Sequence, residues 1–375
     1  MVILKELRGY VDKCRKHGGR VPEGRLDFSA PLNPLGPPGV IKELVLEEVS
    51  RGVYSRYPDY EYSRLREAIS EFYGIEADQI VPLNGASEAL YLLVLAFSPD
   101  ALVVFEPTFG DHRCLSEALG LKTVPVLYLE SGLSYELPTN VLRGVSASSG
   151  KRALVVLSNP NNPTGAVLSV DKLEEVLELF ENSVVVVDEA YLELCYSCDT
   201  AGSLRLAKNY ENLVVLRSLT KTYAVPGLRI GFLYTSNTKL VGVIENLRPP
   251  WNVNSIAERV FSTALREYAG ELKSFISLSR DVIRSEGEYL SDGLRSLGLT
   301  VYTSSVPYVL VRHKHVTTSE VMEALTQMGI YIRDASTYPG LTPYHARISV
   351  KLRDENNVLI SAYREVLRSV HLRED

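Results

Sequence analysis

Four short runs of consecutive apolar residues, Ala101–Phe105, Ala153–Leu157, Val184–Val187 and Leu213–Leu216, punctuate the chain between stretches of helical spacing. A strand with one wet face alternates apolar and polar residues, so unbroken runs belong to strands covered on both faces. Tyr62–Phe72 has helical spacing, and Ser87–Leu93 opens another helix. Strands alternating with helices predict an α/β domain built on a mostly parallel sheet.

The pattern changes further on. Leu240–Leu247 and a long helical stretch over Ser255–Leu297 precede strands near Val301–Tyr302 and Val306–Val311. Helix Thr318–Met328, strands Ile330–Arg333 and Arg347–Val350, and helix Glu355–Leu372 follow, which predicts a second, smaller α+β unit. Ahead of the sheet, a helical stretch from Leu4 to Arg15 leads into a segment from His17-Gly18-Gly19 to Pro37-Pro38-Gly39. That segment is too rich in Gly and Pro for a helix or central strand and reads as an extended arm. The expected organisation is an arm over 1–40, a large domain over 41–245 and a small C-terminal domain over 246–375, hinged at Pro249-Pro250. A length of 375 residues, at about 150 per domain, agrees with it.

Composition narrows the function. Hydrophobic residues at 45% and charged residues at 23% exclude a disordered chain. The balance of 40 Lys+Arg against 46 Asp+Glu, a net charge of −6, gives no footprint for nucleic acid or an anionic membrane. Charges come too early in Met-Val-Ile-Leu-Lys-Glu for a secretory signal, and the apolar stretch Ala89–Phe97 is far short of the ~20 residues of a membrane span. A soluble cytoplasmic protein is expected. Its four cysteines (Cys14, Cys114, Cys195, Cys198) are too few for a disulfide framework. Cys195-Tyr-Ser-Cys198 has the spacing of zinc sites, but no second ligand pair follows, so it reads as two semi-buried thiols and no metal is expected. Tyr344-His345 and His313-Lys314-His315 read as solvated loop features.

In parallel α/β sheets ligands bind at the carboxyl ends of the strands. Asp188-Glu189-Ala190-Tyr191 follows the four valines, and a carboxylate there is costly unless a cation meets it. Ser158-Asn159-Pro160-Asn161-Asn162-Pro163-Thr164-Gly165 is a loop stiffened by prolines that presents an amide in a fixed direction. Lys221 stands between Thr220 and Thr222, after Ser218, with Arg229 eight positions on. An amine beside another cation and an apolar wall favours its neutral, nucleophilic form. Ser218, Thr220 and Arg229 suit a phosphate, as does the turn Asn84-Gly85-Ala86-Ser87 into a helix N-terminus. An amine, a buried acid, an amide with a phenol, and a phosphate cradle are together what pyridoxal 5′-phosphate requires.

With these motifs the sequence resembles a fold-type I pyridoxal-phosphate enzyme of the class I/II aminotransferase superfamily. The resemblance implies a PLP-dependent transferase-like α/β fold and assigns roles. Lys221 would hold the cofactor aldehyde, Asp188 its pyridinium N–H, and Asn162 and Tyr191 its ring hydroxyl; Lys221, Asp188 and Tyr191 are the expected catalytic set. Gly85, Ala86, Ser87, Ser218, Thr220 and Arg229 would cradle the phosphate. Phe109, in Pro107-Thr108-Phe109-Gly110, would stack on the pyridine ring. Tyr57, in Arg56-Tyr57-Pro58-Asp59, would reach the cofactor phosphate of a neighbouring subunit, which implies a homodimer. Arg347 would grip the substrate carboxylate.

Two branches of that superfamily compete. His17-Gly18-Gly19, Asn33-Pro34-Leu35-Gly36, the Lys221 segment through Arg229, Pro250-Trp251-Asn252 and Ile332-Arg333 with Tyr338-Pro339-Gly340-Leu341 are most similar to threonine-phosphate decarboxylases. By that likeness His17 and Arg333 would meet the substrate phosphate, Asn33 and Asn162 would line the substrate site, and a small phosphorylated amino acid or amine would be the partner. The alternative is histidinol-phosphate:2-oxoglutarate aminotransferase. Pro31-Leu32 before Asn33 and Lys351-Leu352-Arg353 after Val350 depart from the pattern; the latter brings cations near Arg347.

Overall fold

The computed structural model describes residues 16–150 and 152–371, so the helix expected over Leu4–Arg15 lies outside the described residues. Seven strands make the central sheet: β1 (Ile80–Leu83), β2 (Ala101–Glu106), β3 (Lys122–Leu127), β4 (Ala153–Ser158), β5 (Val184–Asp188), β6 (Leu213–Ser218) and β7 (Gly231–Tyr234). They lie in the order β1-β7-β6-β5-β4-β2-β3. β7 is antiparallel to both its neighbours and the other pairs are parallel, so six strands point the same way.

Every residue of β2, β4 and β6 is buried, as the unbroken apolar runs require. Val103, Val155, Val185 and Val215 join a core on one face, while Leu102, Leu154, Val186 and Val214 join a core on the other. Helices Ser63–Tyr73, Val170–Leu179 and Ser255–Glu267 cover the first face, and Glu88–Phe97 and Thr238–Leu247 the second. At ~1.5–3 kcal/mol for each fully buried aliphatic side chain, burial on both faces is the main force holding the sheet.

A second sheet of β8 (Thr300–Val301), β9 (Tyr308–Arg312), β10 (Arg333–Asp334) and β11 (His345–Ser349) is antiparallel throughout, in the order β8-β9-β11-β10. Leu290 and Leu294 of the long helix Ala269–Ser296, with Leu325 and Leu359, back it as a separate core. The arm is extended. Its Leu26–Asp27 pairs in parallel with Ile330–Tyr331, and Phe28 enters the small core. No helix among the described residues is long and apolar enough to cross a membrane.

Packing corrects several sequence expectations. The boundary after 245 and the hinge at Pro249-Pro250 do not match the cores: Val253, Phe261, Leu272 and Ile276 all belong to the large core. We propose that the division runs through the helix Ala269–Ser296, whose later Leu290 serves the small core. The helical stretch over Ser255–Leu297 is broken at Tyr268, whose φ of −116° and ψ of 24° leave the helical region. Ile330–Arg333 is not one strand, because Ile330–Tyr331 pairs with the arm and Arg333–Asp334 with β11. His313 and His345 are buried rather than solvated, and burial pushes both imidazoles down to about 4. Finally, Cys195 and Cys198 form a disulfide rather than two thiols. Their Cα atoms are 5.5 Å apart, within bridging range.

Candidate active site

The ends of β1, β4, β5 and β6 open on one cavity of about 310 Å³. β6 passes into a single helical turn, Leu219–Thr222, that carries Lys221. Burial, then the charges of Arg347 and Arg229, lower the Lys221 amine from 10.5 to about 8, against the opposing pull of Asp188. About a tenth of the amine is therefore neutral at pH 7, far more than for an ordinary lysine.

Asp188 closes β5. One of its oxygens accepts from the Ala190 N–H at 3.0 Å, and the other lies 3.3 Å from His112 Nε2. The imidazole is fixed from behind, because its Nδ1 meets Thr108 Oγ1 at 3.1 Å and that hydroxyl meets Ser158 Oγ at 3.2 Å. Sequence reading missed His112, whose signal was its place one helical step inside the helix Gly110–Leu119 beside Phe109.

The phosphate cradle is built from small residues. Ser218 Oγ and Thr220 Oγ1 are 2.8 Å apart, and Arg229 donates to Asn84 O at 3.4 Å. Gly85 has φ +78°, and a Cβ there would stand 2.3 Å from Arg229 Nη2, so only glycine admits the guanidinium. The turn then enters the N-terminal end of the helix Glu88–Phe97, the positive end of its dipole.

Two arginines complete the far wall. Arg333 and Arg347 are directly opposite on β10 and β11, hence on one face of the small sheet. Arg347 donates to Asn162 Oδ1 at 2.5 Å and to Ser29 O at 2.6 Å, while its buried Nε has no protein partner. Arg333 donates to Asp334 O and Thr337 Oγ1 and lies 4.9 Å over the Tyr338 ring. Tyr191 donates from its hydroxyl to Pro31 O at 3.4 Å, and burial pushes its phenol upward, so it stays a donor. The Pro31 departure thus forms part of the wall.

All but two of the residues singled out from the sequence line this cavity: Gly85, Ala86, Ser87, Phe109, Asn162, Asp188, Tyr191, Ser218, Thr220, Lys221, Arg229, His17, Arg333 and Arg347. Asn33 does not. Its amide donates to Thr222 O at 2.8 Å and to Ser279 Oγ at 2.7 Å, so it pins the arm behind the Lys221 turn. Tyr57 lies outside the cavity of its own chain, 77% exposed and stacked on Trp251 at 4.1 Å. Of the added cations after Val350, Arg353 is spent elsewhere, since it pairs with Glu286 and stacks on Tyr289. Asp111 and Tyr338 line the cavity although the sequence had not marked them as site residues.

A lysine of lowered pKa facing an acid across neighbouring strand ends, beside an anion cradle, defines an α/β enzyme that carries an aldehyde cofactor. The chain belongs to the aminotransferase class I and II family, whose model matches residues 25–362. It is 32% identical over 358 residues, 94% of each chain, to a protein of Caldanaerobacter subterraneus subsp. tengcongensis provisionally named threonine-phosphate decarboxylase. It is also 30% identical over 342 residues, 90% of this chain and 88% of the other, to histidinol-phosphate aminotransferase 2 of Haemophilus influenzae. The solved histidinol-phosphate aminotransferase of Clostridium acetobutylicum superposes with a TM-score of 0.82 at 25% identity, covering 92% of this chain and 99% of that one. The cofactor is pyridoxal 5′-phosphate, and the cavity fits it: the Arg229 guanidinium that Gly85 admits, the Ser218 and Thr220 hydroxyls, the Lys221 amine and the Asp188 carboxylate all line one space.

Proposed function

We propose that this chain decarboxylates L-threonine O-3-phosphate to (R)-1-amino-2-propanol O-2-phosphate, a step of cobalamin biosynthesis, and that it works as a homodimer. The observation that carries the reading is the cross-strand pair Arg333 and Arg347 on one cavity wall. Like charges directly opposite on antiparallel strands are unfavourable, by up to ~1 kcal/mol, unless something compensates them. A substrate with two anionic groups does so. Threonine phosphate brings a carboxylate for Arg347 and a phosphate for Arg333 and His17. Histidinol phosphate brings only a phosphate, and an aminotransferase would need the second arginine for its dicarboxylate acceptor.

Bound pyridoxal 5′-phosphate supplies an electron sink for the pair released when a bond at the substrate α-carbon breaks. Lys221 would hold it through its amine, and Asp188, backed by His112, would keep a proton on its ring nitrogen. Asn162 and Tyr191 would bind its ring hydroxyl, and Gly85, Ser218, Thr220 and Arg229 its phosphate. Arg347 and Arg333 fix the substrate at both ends and so decide which α-carbon bond is presented for cleavage. The Lys221 amine, near neutrality at about 8, is suited to delivering a proton to that carbon.

Incubating the purified holoenzyme with O-phospho-L-threonine should release carbon dioxide and aminopropanol phosphate. Equal or better turnover of histidinol phosphate with 2-oxoglutarate would reverse the assignment.

A further inference from the structure

Asp111 places a carboxylate in a cavity that Lys221, Arg229, Arg333 and Arg347 otherwise make attractive to anions. Such a group repels an anionic ligand unless it acts through a neighbour. Its neighbour is His17, whose Nε2 lies 3.0 Å from Asp111 Oδ1, with both side chains lining the cavity. The imidazole also meets the Phe109 ring, at 5.5 Å between centroids.

Anchoring the arm does not account for the pair. A partly exposed ion pair, here 39% and 25% exposed, contributes little to stability. The segment carrying His17 is already tied to the rest of the arm by the Gly19 N–H on Ser29 Oγ at 2.8 Å, and the arm is held by the pairing of Leu26–Asp27 with Ile330–Tyr331 and by the Ser349 N–H on Phe28 O at 2.9 Å. Gly18 is packed so closely that a Cβ would fall 2.2 Å from Ser29 O, which sets the backbone that carries His17. What the backbone leaves free is the rotation of the ring. A carboxylate accepting from Nε2–H fixes it, and with both ring nitrogens protonated it leaves Nδ1–H as the donor that meets a phosphate.

We infer that Asp111 is a positioning residue for the substrate phosphate, acting through His17 to select ligands bearing a phosphate monoester. The inference rests on the proposed function only in taking the ligand to be phosphorylated. The test uses the holoenzyme and compares O-phospho-L-threonine with L-threonine, and histidinol phosphate with histidinol, by spectral titration and by turnover where it occurs. Asp111→Asn should weaken binding of the phosphorylated partner about tenfold, as expected for loss of one charge-assisted hydrogen bond. Most of the loss should fall on KM, with binding of the unphosphorylated partner unchanged. In a His17→Ala background Asp111→Asn should cause no further loss, and Asp111→Glu should restore part of the preference. An equal loss for both partners, or a loss that persists without His17, overturns the inference and leaves an arm anchor. A wild-type enzyme with no preference for the phosphate overturns the phosphorylated-ligand reading itself, and this inference with it.

Discussion

At Lys221 the environment, not the residue type, sets the chemistry. Burial, Arg347 and Arg229 disfavour the ammonium form, so the neutral fraction grows as pH rises through about 8 instead of 10.5. The rate at which apo-protein takes up pyridoxal 5′-phosphate should therefore climb with a midpoint about 8, followed by stopped-flow absorbance. Because Arg347 acts to lower the value, Arg347→Gln should move that midpoint upward. At Gly85 the constraint is steric. Gly85→Ala puts a methyl group where Arg229 Nη2 now lies and strains a φ of +78°, at a cost on the order of 1–3 kcal/mol. Cofactor affinity, measured by equilibrium titration, should fall by about tenfold or more, the factor that such an energy implies. Asp188→Asn keeps the shape but removes the charge that His112 and the Ala190 N–H orient. Turnover should drop by on the order of 10²-fold or more, as when a preorganised electrostatic partner is lost. An Asn variant of near-wild-type activity would show that Asp188 does not face a ring cation.

Elements explain why some of this was legible and some was not. The runs ending at Phe105, Leu157, Val187 and Leu216 carry their own signature, since two-faced burial leaves no polar position inside the strand. The residues after those runs were therefore readable as site residues. Asp111 was not, because an acid in the first turn of a helix is ordinary on electrostatic grounds alone. Nor was the fate of Asn33, which depends on Ser279 of a helix 246 positions away. The division of the long helix between two cores is likewise invisible to periodicity, because its buried positions keep helical spacing from Leu272 through Ser279 and Glu286 to Leu294 while its packing partners change. The Cys195–Cys198 bridge is a local matter that spacing left open. It closes the loop after Tyr191, where Cys195 Sγ meets Ser305 Oγ at 3.3 Å and Tyr191 packs edge-on to Tyr308. For so short a loop the entropic gain is about 2 kcal/mol. Cys195→Ser/Cys198→Ser, or reduction of the bridge, should lower Tm by several degrees in differential scanning calorimetry. An unchanged Tm would mean that the bridge constrains nothing that the turn had not already fixed.

The whole molecule raises one question that a single chain leaves open: why Tyr57 and Trp251 stack in the open. Tyr54, Tyr57, Tyr60 and Trp251 are 67%, 77%, 50% and 40% exposed, and Leu46 is 70% exposed, an apolar grouping of the kind that marks a protein interface. In the proposed homodimer Tyr57, which lies outside the cavity of its own chain, would complete its partner's. That geometry makes a prediction about mixtures. Lys221→Ala chains lack the amine but offer Tyr57, and Tyr57→Ala chains lack the phenol but keep the amine. Each homodimer is impaired at both sites. Random reassociation makes about half of the dimers mixed, and each mixed dimer has one site with both groups intact, so activity should recover to about a quarter of the wild-type value. The measurement is turnover after unfolding and refolding the two variants together, against each refolded alone. A tyrosine acting within its own chain leaves every mixed site short of one group, and activity then stays at the average of the two parents.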